Sequence, residues 1–166
     1  MKDFRLIPPE ELENVFRLVG KDWMLITARQ GDTVNTMTAS WGGMGVLWNR
    51  PVAFCFIRPQ RYTYALTEAA ERFSLSFFTE DYRPALRLCG TKSGRDTDKF
   101  AAAGLTPALL DGVPYVREAR LVLICRKLYA DMLKEEAFAD TSLLSNYKDG
   151  DFHRVYVVEI EQAYIK

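Results

Sequence analysis

The sequence predicts a mainly β fold, a six-stranded antiparallel barrel with a few peripheral helices. Three observations carry that prediction. Six segments are rich in β-branched and aromatic residues, Gly, Asn, Asp or Pro turns separate several of them, and one segment is longer than a typical strand.

The elements follow in order. Pro8-Pro9-Glu-Glu-Leu-Glu-Asn-Val-Phe-Arg-Leu-Val opens on prolines and acids and stops at Gly20, which predicts a helix. Trp23 to Ala28 and Val34 to Ser40 read as strands around the turn Gln30-Gly31-Asp32. Val52 to Ile57 is a third strand, entered through Trp48-Asn49-Arg50-Pro51. Tyr62 to Glu71, rich in alanine and leucine, reads as a helix, and Phe73 to Phe78 as the next strand. Asp81 to Leu88 and Asp96 to Ala103 are two further helices, the second stopped by Gly104. Arg120 to Leu133 is long enough to bend around a barrel, and Arg154 to Ile160 closes the set. No repeat, low-complexity tract or linker divides the chain, so a single domain over residues 1–166 is expected.

Composition limits the function classes. Apolar residues make up 48% and charged residues 27%, as in an ordinary globular protein. Lys plus Arg and Asp plus Glu number 22 each, which argues against nucleic acid or an anionic membrane as partner. The longest apolar run, Pro51 to Ile57, is far too short to span a bilayer. No signal-peptide core follows the charged N-terminus, and Cys55, Cys89 and Cys125 are odd in number and widely spaced. A reducing cytoplasmic location is the expectation.

Several chemistries are set aside by the residues themselves. One histidine, His153, and no Cys-x-x-Cys pair leave no basis for a structural zinc site, so no metal is expected. No Gly-x-Gly-x-x-Gly follows a strand, and in Gly90-Thr-Lys-Ser-Gly94-Arg95 the lysine and serine are misplaced for a triphosphate loop. No Gly-x-Ser-x-Gly elbow exists.

Three polar clusters remain. Asn35-Thr-Met-Thr-Ala-Ser-Trp41 places Thr36, Thr38 and Ser40 on one face of a strand. That pattern suits either a solvated strand face or a strand lending hydroxyls to a polar ligand. Arg58-Pro-Gln-Arg-Tyr-Thr63 brings arginines, a hydroxyl and helix N-terminal amides together, a combination that suits a phosphate or an ordinary charged turn. Gly90-Thr-Lys-Ser-Gly-Arg-Asp-Thr-Asp-Lys-Phe100 is either a capped surface loop or a loop of glycines, hydroxyls and three cations for an anionic ligand.

The ordered set resembles the flavin reductase-like, FMN-binding split-barrel family. The matching pieces are Met37-Thr-Ala-Ser-Trp41, Arg58-Pro-Gln-Arg-Tyr-Thr63, Cys89-Gly-Thr-Lys-Ser-Gly-Arg-Asp-Thr-Asp-Lys-Phe100 and the histidine of Asp151-Phe-His-Arg-Val-Tyr-Val-Val-Glu. They span roughly Trp23 to Ile160, and the Cys89 to Phe100 string points to the flavoredoxin-like branch.

The resemblance implies a split barrel that binds FMN tightly near a homodimer interface. Thr36, Met37, Thr38, Ala39, Ser40 and Trp41 would lie along the ring and ribityl chain, with Trp41 either against the dimethylbenzene end or in the core. Arg58, Gln60, Arg61, Tyr62 and Thr63 would address the phosphate. Lys99 would supply a point charge and Phe100 a wall, with Cys89, Gly90, Thr91 and Ser93 as secondary candidates. For Cys89 a packing role is favoured over a redox thiol. His153, the one side chain that normally titrates near neutrality, would sit near the flavin or the nicotinamide and serve catalysis. The implied reaction passes hydride from NAD(P)H to the flavin and onward to a free flavin, an iron centre or a redox protein. A non-enzymatic FMN electron carrier is the alternative, followed by a barrel that has lost its ligand. A pyridoxamine-phosphate-type oxidase fits the Gly90 to Phe100 string poorly.

Overall fold

The computed structural model describes residues 3–166. Its strands are β1 (Arg5–Ile7), β2 (Met24–Gln30), β3 (Thr33–Ala39), β4 (Gly42–Leu47) and β5 (Arg50–Ile57), then β6 (Arg72–Phe77), β7 (Pro107–Leu110), β8 (Val113–Val116), β9 (Leu121–Met132) and β10 (Arg154–Ile165). The helices are α1 (Val15–Arg17), α2 (Tyr62–Ala69), α3 (Arg83–Thr91) and α4 (Lys99–Ala103).

Eight strands form one antiparallel sheet in the order β3-β2-β6-β9-β10-β5-β4, with β1 added to the far end of β10. The sheet curls on itself. Met37 of β3 and Cys55 of β5 lie near opposite ends of that order, yet share one buried cluster with Ile26, Leu75, Leu123 and Tyr156. The six expected strands supply most of this interior, with Ile7 of β1, Leu18 and Leu66 completing it. β9 and β10 run twelve residues each, and register shifts at Val157/Val158 and Ile160/Gln162 let them bend.

Alternation along β9 divides two cores. Leu121, Leu123 and Cys125 point into the barrel. Val122 and Ile124 point outward, where α3, α4 and β8 cover them with Leu86, Phe100 and Tyr115. No helix among the described residues is long and apolar enough to cross a membrane.

The structure departs from expectation in four places. The N-terminal segment is not one helix: a 3-10 turn over Pro9–Glu11, the single turn α1 and a π-turn over Leu18–Asp22 succeed one another. Asn14 restarts the chain by accepting from the Arg17 amide, and only Leu18 and Val19 find buried partners there. β4 is an additional strand, drawn onto β5 by the two-residue turn Trp48–Asn49, whose φ values of 53° and 57° match the twist of a hairpin. β7 and β8 form a separate hairpin around Asp111–Gly112, with φ of 48° and 80°. The final strand continues to Ile165 and carries β1 on its end.

Candidate functional site

The barrel is open between β3 and β4, the two ends of the hydrogen-bonded order, and Ser40–Trp41 carry the chain across that opening. A cleft of about 200 Å³ lies there, walled by Met37 to Trp41, Phe56, Arg58, Arg61 and His153. A second cleft of about 200 Å³ adjoins it and shares Met37 and Arg61. Gln60, Tyr62 and Thr63 wall one side of the second cleft, and Thr91, Lys92, Ser93, Arg95 and Lys99 the other.

The two clefts differ in chemistry. Four cationic side chains, Arg61, Lys92, Arg95 and Lys99, line the second, and among the described residues no carboxylate does. Helix α2 begins at its edge, and its N-cap, Arg61, makes no side-chain cap. Uncapped first-turn amides and unopposed cations together favour an anion. The first cleft mixes apolar walls with Ser40, His153 and the half-exposed indole of Trp41.

The loop from α3 to α4 is stitched to β3 and to the turn before α2. Lys99 is 4% exposed, and its ammonium donates to the Thr36 carbonyl at 2.9 Å and the Cys89 carbonyl at 2.8 Å. Burial, opposed by Cys89 and reinforced by the Arg61 charge, holds its pKa below the usual lysine value. Arg61 donates to the Gly90 carbonyl at 2.8 Å, and Arg95 to the Gln60 carbonyl at 3.1 Å while lying 5.2 Å from the Tyr62 ring centre. Two glycines permit the approach. A Cβ at Gly90 would sit 3.3 Å from Thr38, and one at Gly94 only 2.2 Å from the Asn35 amide oxygen.

His153 is buried, with Nδ1 2.9 Å from the Tyr147 hydroxyl and its ring 5.4 Å from Trp41. Burial first, then the Arg58 charge, lowers its pKa to about 4. The imidazole is therefore neutral at neutral pH.

Some expected positions are spent elsewhere. The Thr36 hydroxyl is buried in the sheet, 3.0 Å from that of Thr27, and donates to the Ile26 carbonyl. Thr38 donates to the Leu86 carbonyl of α3, so the hydroxyl face of β3 is covered by a helix rather than solvated. Thr63 accepts from Asn35 at 2.9 Å, Thr91 donates to Arg87 and Leu88 carbonyls, and Ser93 accepts from the Arg95 amide. Arg58 and Gln60 both hold the Asp151 carboxylate; Gln60 still walls the cationic cleft, whereas Arg58 walls the first one. Phe100 packs in the outer core with Leu105 and Leu86 and walls neither cleft. Cys89 is buried in that same core, its thiol pushed up to about 11 by burial against the opposing pull of Lys99.

Other residues matter that sequence reasoning left out. Lys92 and Arg95 face the second cleft from within the loop already singled out. Asn35 and Gly94 interlock beneath it, Phe56 walls the first cleft, and Asp151 and Tyr147 anchor its His153 side. Asp151 stands two residues before His153, a proximity that was a usable signal.

Curled antiparallel sheet, open seam and paired clefts define a split-barrel protein. The flavin reductase like domain model matches residues 16–166, and the chain belongs to that family. Solved structures share the fold. An FMN-binding domain of a flavin reductases-like enzyme from Shewanella baltica superposes with a TM-score of 0.71 at 17% identity, over 98% of this chain and 77% of that one. An FMN-binding protein from Thermus thermophilus gives 0.69 at 23%, over 93% and 77%. Flavoredoxin of Desulfovibrio vulgaris gives 0.68 at 22%, over 87% and 69%. No curated protein has a sequence that matches this one.

Proposed function

We propose that the chain is an FMN flavoprotein that acts as an NAD(P)H-dependent flavin oxidoreductase, with the flavin phosphate in the cationic cleft and the ring in the adjoining one. The observation that carries this reading is the cluster Arg61, Lys92, Arg95 and Lys99 without an opposing carboxylate, joined through Arg61 to a half-apolar cleft. FMN-binding proteins among the structural relatives support the same assignment.

In this reading Arg61, Lys92 and Arg95 and the first amides of α2 hold the dianion. Thr38 to Trp41 form one wall of the ring site, and Lys99 fixes that wall by gripping the Thr36 carbonyl. His153 presents an uncharged imidazole that orients a neighbouring polar group without adding charge. Bound FMN would supply the hydride-accepting chemistry, and the chain supplies position and polarity. The three cysteines are free and buried, which suits the reducing, cytoplasmic setting included in the reading.

Anaerobic mixing with NADH or NADPH tests the activity. Bleaching of the flavin absorbance at a catalytic rate is the expected result. A bound flavin that stays oxidised would overturn the reductase and leave an electron carrier.

A further inference from the structure

Residues 133–153 leave the barrel between β9 and β10 and return at His153. The excursion is thinly anchored. Between residues 134 and 150 only Tyr147 is buried, and its other hydrogen bonds are mostly internal, such as Ser142 to Asp140 and Asn146 to Leu143. Among the described residues, the side-chain polar contacts that carry residues 134–152 to the barrel meet at the turn before α2, apart from Tyr147 to His153 and the Lys134–Asp131 ion pair at the loop's first residue. Arg58 donates to Asp151 and, at 3.0 Å, to the Asn146 carbonyl. Gln60 donates to the same Asp151 oxygen at 2.7 Å, and the Arg58 guanidinium lies 5.3 Å from the Tyr147 ring centre. Tyr147 in turn stacks on Phe152 and reaches His153.

We propose that Asp151 is a positioning residue: by gripping Arg58 and Gln60 it latches residues 134–152 to the turn before α2 and fixes the His153 wall of the ring cleft. Arg58 then serves the site by holding a loop, with its charge balanced by Asp151, and the phosphate is left to Arg61, Lys92 and Arg95. The arrangement deepens the flavin reading by naming what keeps one wall of that cleft in place. A loop with few buried contacts opens at low cost, so one charge-assisted clamp governs its population of open states.

The chain has a single histidine, so the ring protons of His153 give one assignable set of NMR signals. The full chain is compared as wild type, Asp151→Ala, Asp151→Asn and Asp149→Ala, the last an exposed acid outside the clamp. Charged groups facing His153 are Arg58, Asp151 and Arg61. In an unchanged loop, deleting the Asp151 charge would push the His153 midpoint further down. Release of the loop into water raises it instead. The expected result for Asp151→Ala is a midpoint at least about one pH unit above wild type, with amide exchange over residues 138–150 about tenfold faster and β9 and β10 unchanged. Asp151→Asn, which keeps an acceptor oxygen, falls between, and Asp149→Ala matches wild type. FMN dissociation from Asp151→Ala is also about tenfold faster. An unchanged or lower midpoint with unchanged exchange overturns the latch, as does exchange that rises equally throughout the barrel. If the wild-type chain binds no FMN, the flavin reading fails while the NMR and exchange measurements still decide the latch.

Discussion

Arg61 stands where the two clefts meet, and its guanidinium faces both while one nitrogen holds the Gly90 carbonyl. Charge-assisted contacts are worth roughly 1.5–3 kcal/mol each. Arg61→Ala and Arg95→Ala are each expected to weaken FMN about ten- to a hundredfold in a titration of apo-protein, with riboflavin affinity little altered. His153 makes a prediction about pH. Its folded pKa of about 4 lies below the ordinary histidine value, so the unfolded chain binds the proton first as pH falls. The His153 contribution to stability is complete above about pH 6.5 and is lost progressively as pH falls toward about 4. Urea unfolding of wild type and His153→Asn at pH 7 and pH 4.5 measures it; a variant that keeps the wild-type slope contradicts the assignment. At this scale the sequence was only partly legible. Arg61 was readable because an arginine before a helix start is a local signal. The use of Arg58 was not, because its partner Asp151 lies 93 positions away.

Elements rather than single groups give the second cleft its shape. β3, α3 and α4 meet at the Lys99 ammonium, and removing it leaves the Thr36 and Cys89 carbonyls without that donor in a buried place. Lys99→Met is expected to cost about 2–3 kcal/mol of stability by chemical denaturation and to weaken FMN through the loosened β3 wall, even though two of the ammonium's bonds go to protein. Gly94 interlocks with Asn35 and Tyr62, where an added methyl group would lie 2.2 Å and 2.8 Å from their atoms. Gly94→Ala is expected to lower stability by about 1–3 kcal/mol and reduce FMN binding, whereas Gly104→Ala, with open space around it, costs only its strained φ of 65°. Six strands could be read because each carries a buried, β-branched or aromatic pattern. β4 could not, since Gly42, Gly43 and Gly45 offer no side chain for a pattern to show. The N-terminal helix was misread because prolines and acids mark a start whether or not an apolar face follows.

For the whole molecule, a barrel that fails to close leaves β4 as an unpaired edge beside the proposed ring site. Trp41, Val46 and Trp48 are 50%, 77% and 56% exposed along it, and Phe16, 90% exposed, faces the same apolar groove as Met44. An apolar edge of this kind is a surface for pairing, and we propose it as the interface of the homodimer that the resemblance implies. Val46→Asp should convert a dimer to a monomer in sedimentation without unfolding the barrel; a variant that stays dimeric moves the interface elsewhere. The central claim is that the carboxylate-free cationic cleft holds the phosphate of a flavin whose ring occupies the seam. Parallel calorimetric titrations of apo-protein with FMN and riboflavin test it most directly. FMN is expected to bind at least about a hundredfold tighter than riboflavin, an advantage that shrinks about tenfold or more in Arg95→Ala. Equal affinity for the two flavins, or an FMN advantage untouched by Arg95→Ala, would contradict it.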